Sequence, residues 1–222
     1  SQIELRLLAA LAGDENMINA FRNGEDIHTS TAATVFGVPK ELVTPEMRKS
    51  AKAVNFGIVY GIGDYSLSVD LGITKKQAGE YIANYLARFH AIDSYLKDTV
   101  RMAYDHGFVE TIFGRRRYIP ELKASNKMMR SFGERVAMNS PIQGSAADII
   151  KIAMVNTRNA LAAANIDARL ILQVHDELVV EAARSCADEA AMILRREMEN
   201  AVSLSVPLSV DLTVGDTWYE NK

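Results

Sequence analysis

Between Thr44 and Gly61 the chain carries a helix start, a helix stop and a row of chemically useful side chains, and no other stretch constrains the fold as much. Thr44 suits an N-cap, Pro45 suits the first helical position, and Gly61 followed by Gly63 supplies the stop. Arg48, Lys52, Phe56 and Tyr60 recur every fourth residue, so a helix sets them in one gently drifting stripe about 18 Å long at roughly 1.5 Å per residue. The stripe runs from cationic to aromatic. Cations in the first turns face the positive end of the helix dipole, and a docked anion would remove that conflict. The alternative is a solvated Arg and Lys on a helix whose Phe and Tyr enter the core.

Nearly half of the 222 residues are apolar (48%), enough to bury a core in one large domain or two small ones. A net charge of −3 excludes a uniformly basic coat, so contact with nucleic acid needs local clustering. From Arg115 to Arg135 seven cations stand against two acids. The single cysteine, Cys186, can form no internal disulfide and reads as an ordinary small side chain on a helix, which points to a reducing, cytoplasmic setting. Ser1 to Arg6 has no basic region followed by an apolar run, and Lys151 breaks the apolar run from Ile149 to Val155, so neither a signal peptide nor a membrane span is expected.

Periodicity predicts helices over residues 3–12, 15–22, 27–36, 64–71, about 75–89, 92–106, 144–164 and 183–201. Asp26 suits an N-cap, and Thr74 with Gln77 forms a capping box. Phe108 to Phe113 is rich in strand formers, and Pro141 is expected to kink or interrupt a helix near residues 137–140. Arg169 to Val174 and Leu178 to Glu181 read as strands joined by His175-Asp176-Glu177, an acidic pair at a tight hairpin. Because successive strand side chains point to opposite faces, only one of the two acids is aimed squarely at a shared metal site. Pro207 to Val214 alternates as a half-buried strand.

Arg48-x3-Lys52-x3-Phe56-x3-Tyr60-Gly61 resembles the fingers-helix signature of the family A DNA polymerases, the bacterial DNA polymerase I type. Two further stretches resemble that family's palm motifs, in family order: Ser1-Gln2-Ile3-Glu4-Leu5-Arg6, the second half of the first motif, and Gln173-Val174-His175-Asp176-Glu177, the last. The resemblance implies an α+β, mostly helical fold. A helical fingers subdomain would cover residues 13–125. A small antiparallel palm sheet packed on helices would lie in 126–222, and residues 1–12 would be a palm remnant.

The implied reaction is templated addition of a dNTP to a primer 3′-hydroxyl by two-metal phosphoryl transfer. Arg48 and Lys52 would hold the triphosphate, with Lys52 also supplying a proton or charge to the leaving group. Phe56 and Tyr60 would lie along the sugar and base, Glu4 below the sugar, and His28 near the phosphates. Arg115, Arg116, Arg135, Asn139, Gln143 and His175 would contact DNA; Arg135, Asn139 and Gln143 recur every fourth residue as donors suited to minor-groove acceptors. Asp176 would ligate metal, with Glu177 secondary and two Mg2+ ions as cofactors.

The Asp that precedes Ser1 in the family's first motif is a metal ligand outside this sequence. Expected partners are therefore primer-template DNA, dNTPs and an amino-terminal part carrying the thumb and the first palm motif, with no membrane, in a bacterial, nucleoid-associated cytoplasmic setting. Two other functions are compatible with the residues. One is a nucleotide- and DNA-binding fragment inactive alone; the other is a metal nuclease using Asp176 and Glu177, which leaves the Arg48 to Tyr60 stripe without a use.

Overall fold

Side-chain caps decide where the helices begin. A computed structural model describes residues 2–221. In it Asp14, Asp26, Thr44 and Thr74 each accept a backbone N–H from the first turn of the helix that follows, and Thr74 with Gln77 completes the capping box. The helices so started are α2 (Glu15–Arg22), α3 (Ile27–Phe36), α4 (Pro45–Val59) and α6 (Lys75–Arg88), joined by α1 (Ile3–Ala12), α5 (Asp64–Leu71) and α7 (His90–His106). A hairpin of β1 (Phe108–Glu110) and β2 (Arg116–Tyr118) follows. Then come α8 (Lys127–Ala164), the hairpin of β3 (Ala168–Val174) and β4 (Glu177–Ala182), and α9 (Ala187–Glu199). The fold is α+β and mostly helical, with two small antiparallel two-stranded sheets among the described residues.

The chain divides into two compact units, one of Glu4–Ser145 and the other built chiefly from residue 146 onward. In the first, α3 packs against both α4 and α6, and α5 packs against α6. Leu5, Leu8, Met17, Ile27, Val54 and Tyr85 are fully enclosed. Asp14, 1% exposed, does two jobs: one carboxylate oxygen accepts Met17 N–H at 3.0 Å, and the other accepts Ala91 N–H at 3.2 Å, which ties the starts of α2 and α7 together. A second cluster of Ala103, Val109, Ile119, Leu122 and Ala137 holds the β1–β2 hairpin between α7 and the first turns of α8. Two glycines on α8 allow that approach. A Cβ on Gly133 would stand 3.1 Å from Leu122 N, and one on Gly144 would stand 2.6 Å from Thr111 Cγ2.

In the second unit the β3–β4 hairpin buries Leu178 against Ile150 and Ala153 of α8, with Leu194 and Met198 of α9 packed on the same cluster. Ile171 is the extra residue of a bulge, since Leu170 faces Val180 while Leu172 faces Val179.

Two expectations are corrected. Helix α8 starts at Lys127 and continues through Pro141 without interruption. Pro141 and Ile142 are buried, and this packing carries the helix past the missing N–H; Ser140 Oγ donates to Val136 O at 2.6 Å and Ser145 Oγ to Pro141 O at 2.5 Å on either side of it. Pro207 to Val214 forms no strand, although its burial alternates. Alternation sets which faces are covered, whereas a strand needs a place in a hydrogen-bonded ladder, and this run belongs to neither sheet among the described residues. The run Arg116 to Tyr118, singled out in the sequence only as part of the basic cluster, is β2: Val109 faces Arg117 and Glu110 faces Arg116.

Candidate functional site

Helix α4 is amphipathic in the sense the stripe requires. Ala51, Val54, Ile58 and Val59 are buried, while Arg48 and Lys52 are exposed, Phe56 is half-buried and Tyr60 is 40% exposed. The helix ends in a Schellman arrangement: Ile62 N–H donates to Gly57 O at 2.8 Å, Gly61 N–H donates to Ile58 O at 3.0 Å, and Gly61 is left-handed at φ +66°. Only glycine fits at two places in this turn. A Cβ on Gly57 would stand 2.5 Å from Ile62 Cγ2, and one on Gly61 would stand 2.5 Å from Met138 Cε of α8. Tyr60 is thereby held at the helix end, where its hydroxyl donates to Glu4 Oε2 at 3.0 Å and also meets the Gln143 side chain. Partial burial, with the Glu4 carboxylate, raises the Tyr60 pKa against the opposing Gln143 bond, so the hydroxyl stays protonated.

Arg48 at the other end of the stripe is paired with Asp26, Nε to Oδ2 at 2.6 Å. The same carboxylate caps α3, accepting His28 N–H at 3.0 Å, Thr29 N–H at 3.3 Å and the Thr29 hydroxyl at 3.0 Å. Partial burial pushes the Asp26 pKa up, but the Arg48 and Thr29 bonds outweigh it and hold the carboxyl at about 2. Between these ends, His28 is nearly enclosed at 3% exposure, with its ring centroid 5.9 Å from that of Phe56. Its Nδ1 lies 3.0 Å from Asn55 Nδ2, and Thr31 Oγ1 donates to Asn55 Oδ1 at 3.1 Å. Burial lowers the His28 pKa, Asp26 opposes this, and Arg48 and Lys52 add to it.

Within this one unit Glu4, His28, Arg48, Lys52, Phe56, Tyr60 and Gln143 thus share α4 and its immediate neighbours. Arg135 lies at the same turn, its Cγ 3.1 Å from where a Gly61 Cβ would stand, and Asn139 keeps a buried Oδ1 with no hydrogen-bond partner. The basic hairpin is less open than its sequence suggests. Arg116 bonds Glu110 Oε1 at 2.7 Å and stacks on Phe108 at 4.5 Å from the ring centre, and Arg130 spends its guanidinium on the Ala124 and Ser125 carbonyls. Arg115 and Arg117 are exposed.

In the second unit His175 and Asp176 are the two turn residues between β3 and β4, with His175 left-handed at φ +53° and its carbonyl accepting Gln173 Nε2. Asp176 is exposed at the tip. Glu177 is committed elsewhere, since its Oε1 accepts Trp218 Nε1–H at 2.9 Å. Among the described residues no group of three or more His, Cys, Asp or Glu side chains is gathered as a metal site. Sequence reasoning missed Asn55, Thr31 and Trp218, and gave Asp26 only its cap. A polar residue on the apolar face of α4, flanked by Ala51 and Val59, was the one available signal for Asn55.

Residues 1–220 match the family described as DNA polymerase family A. The chain belongs to DNA polymerase family A. The DNA polymerase I of Caldicellulosiruptor bescii is 54% identical over 222 residues, covering all of this chain and 26% of that protein. The DNA polymerase I of Bacillus subtilis is likewise 54% identical over 222 residues and is 25% covered. This family A chain therefore spans about a quarter of the length of the curated relatives it matches. A solved structure, the POL domain of Pol1 from M. smegmatis in complex with DNA primer-template and dNTP, matches with a TM-score of 0.94 and 44% identity, over 98% of this chain and 38% of that one. Among the described residues of this family A chain, no helix is long and apolar enough to cross a membrane.

Proposed function

We propose that this chain is the nucleotide-binding and carboxy-terminal palm portion of a bacterial DNA-directed DNA polymerase, with residues 13–125 as fingers and 1–12 with 126–222 as palm. Its reaction is templated addition of a dNTP to a primer 3′-hydroxyl. The hydroxyl oxygen bonds the α-phosphorus, the bond from that phosphorus to the bridging oxygen breaks, and pyrophosphate leaves. The observation that carries this reading is the ridge of exposed Arg48, Lys52 and Tyr60 with half-buried Phe56 on a helix whose other face is buried.

Arg48 and Lys52 place two cations where a triphosphate would lie, and Lys52 can donate a proton to the departing pyrophosphate. The flat faces of Phe56 and Tyr60 suit a sugar and a base. Glu4, bonded to Tyr60, closes the space at that end of the ridge. Arg135, Asn139 and Gln143 offer donors to acceptors common to all correct base pairs, while Arg115, Arg116 and His175 suit phosphate backbone.

Asp176 is an exposed carboxylate on a two-residue turn, a donor of the kind Mg2+ takes beside substrate phosphates. When bound, two Mg2+ ions would acidify the attacking hydroxyl and neutralise the phosphates. Asp176 would be a ligand, and Glu177, held by Trp218, a neighbour.

The chain acts as one part of a longer enzyme. It spans a quarter of its relatives, and its described residues gather no set of three acids. Primer extension in Mg2+ tests both points. The expected result is no extension by the 222 residues alone, with nucleotide binding retained, and extension when the remaining polymerase polypeptide is present. Robust extension by this chain unaided refutes the incomplete site. Extension by the assembled enzyme that is indifferent to Lys52→Ala and Arg48→Ala refutes the ridge as the triphosphate site.

A further inference from the structure

His28 is a poor phosphate ligand unless its accessible nitrogen carries a proton, and its surroundings decide that. The ring is 3% exposed, so it can reach a ligand by little more than one edge. Nδ1 is already engaged, 3.0 Å from Asn55 Nδ2. In the structure the Asn55 oxygen lies 3.1 Å from the Thr31 hydroxyl and the Asn55 NH2 group faces the imidazole. All three side chains are buried, where an unmade bond is costly.

We infer that Asn55, held by Thr31, is a positioning residue that fixes His28 as the neutral imidazole protonated on Nε2, so that His28 offers a hydrogen-bond donor to the phosphates of an incoming nucleotide. The inference rests on the reading of the ridge as a triphosphate site. The charges facing the ring agree with it. Arg48 and Lys52 disfavour a third cation, burial acts in the same direction, and Asp26 is drawn off by Arg48 and the cap of α3. A neutral donor adds a bond to the phosphate without adding to the repulsion between the two cations of α4.

The first test reads the proton itself. In the polymerase containing this chain, labelled with 15N-histidine and assigned with His28→Gln, the imidazole nitrogens of His28 at pH 7.5 show the Nε2–H tautomer. A spectrum of the Nδ1–H tautomer or of imidazolium overturns the inference, whatever the enzyme does. The second test moves the proton. In Asn55→Asp the new carboxylate can only accept, so the proton shifts to Nδ1, and KM for dNTP rises about tenfold with primer-template affinity unchanged. In His28→Gln, which carries its own NH2 donor, Asn55→Asp adds little to KM; a merely structural role for Asn55 gives the same loss in both backgrounds and overturns the inference. An unchanged KM in His28→Ala with the Nε2–H tautomer present refutes the nucleotide-site reading of His28 and the inference with it.

Discussion

Asp26 performs two separable tasks with one carboxylate, and substitution can divide them. One oxygen caps α3 through the His28 and Thr29 N–H groups; the other binds the Thr29 hydroxyl and Arg48 Nε. Asparagine keeps the cap and loses the ion pair; alanine loses both. The drop of the Asp26 pKa from 3.8 to about 2 sets an upper bound of about 2.5 kcal/mol on what the folded environment gives the ionised form. Both partners are exposed, Asp26 at 40% and Arg48 at 46%, so solvent screening cuts this to about 1 kcal/mol. The part of the cap that does not depend on charge, which asparagine keeps, contributes about 1 kcal/mol.

In urea denaturation at pH 7, Asp26→Asn is therefore expected to cost about 1 kcal/mol and Asp26→Ala about 2. The pH dependence supplies the check. A depressed carboxyl pKa stabilises above the unfolded value and loses that stabilisation as pH falls through the folded value, so the gap between wild type and Asp26→Asn closes between about pH 5 and about pH 2. A gap that stays constant across that range, or an Asn variant as damaged as the Ala variant, refutes the division of labour.

Three other outcomes follow from single contacts. Asp14→Ala leaves the buried Met17 N–H and the part-buried Ala91 N–H without this acceptor and should cost about 3 kcal/mol in the same denaturation assay, with Asp14→Asn recovering part of it. Gly61→Ala combines φ +66° with a Cβ 2.5 Å from Met138 Cε and should destabilise by about 2 kcal/mol; adding Met138→Ala relieves the clash but not the backbone strain, so rescue in a thermal melt is partial. Asp176→Asn in the assembled enzyme should abolish primer extension in Mg2+ while leaving primer-template affinity, read by fluorescence anisotropy, within about twofold, since the proposed role is metal binding at an exposed turn.

Most helix bounds were legible in the residues because caps, glycine stops and apolar periodicity act within a few positions. Asp26, Thr44 and Thr74 announce the starts of α3, α4 and α6, and Gly37 and Gly107 take the left-handed conformation at helix ends. The stripe from Arg48 to Tyr60 was visible for the same reason, as was the β3–β4 hairpin with Asp176 at its turn. The continuity of α8 through Pro141 was not, because it depends on burial rather than on propensity. Nor could alternation in 207–214 reveal that the run joins neither sheet among the described residues.

Local rules thus set which side chains share a helix face, since a residue and its fourth neighbour meet wherever a helix forms. What each polar group is bonded to belongs to the fold. Thr31 and His28 reach Asn55 from 24 and 27 positions away, and Trp218 reaches Glu177 across 41. Sequence spacing says nothing about such pairs, because they come together only when apolar faces pack and bring distant elements side by side.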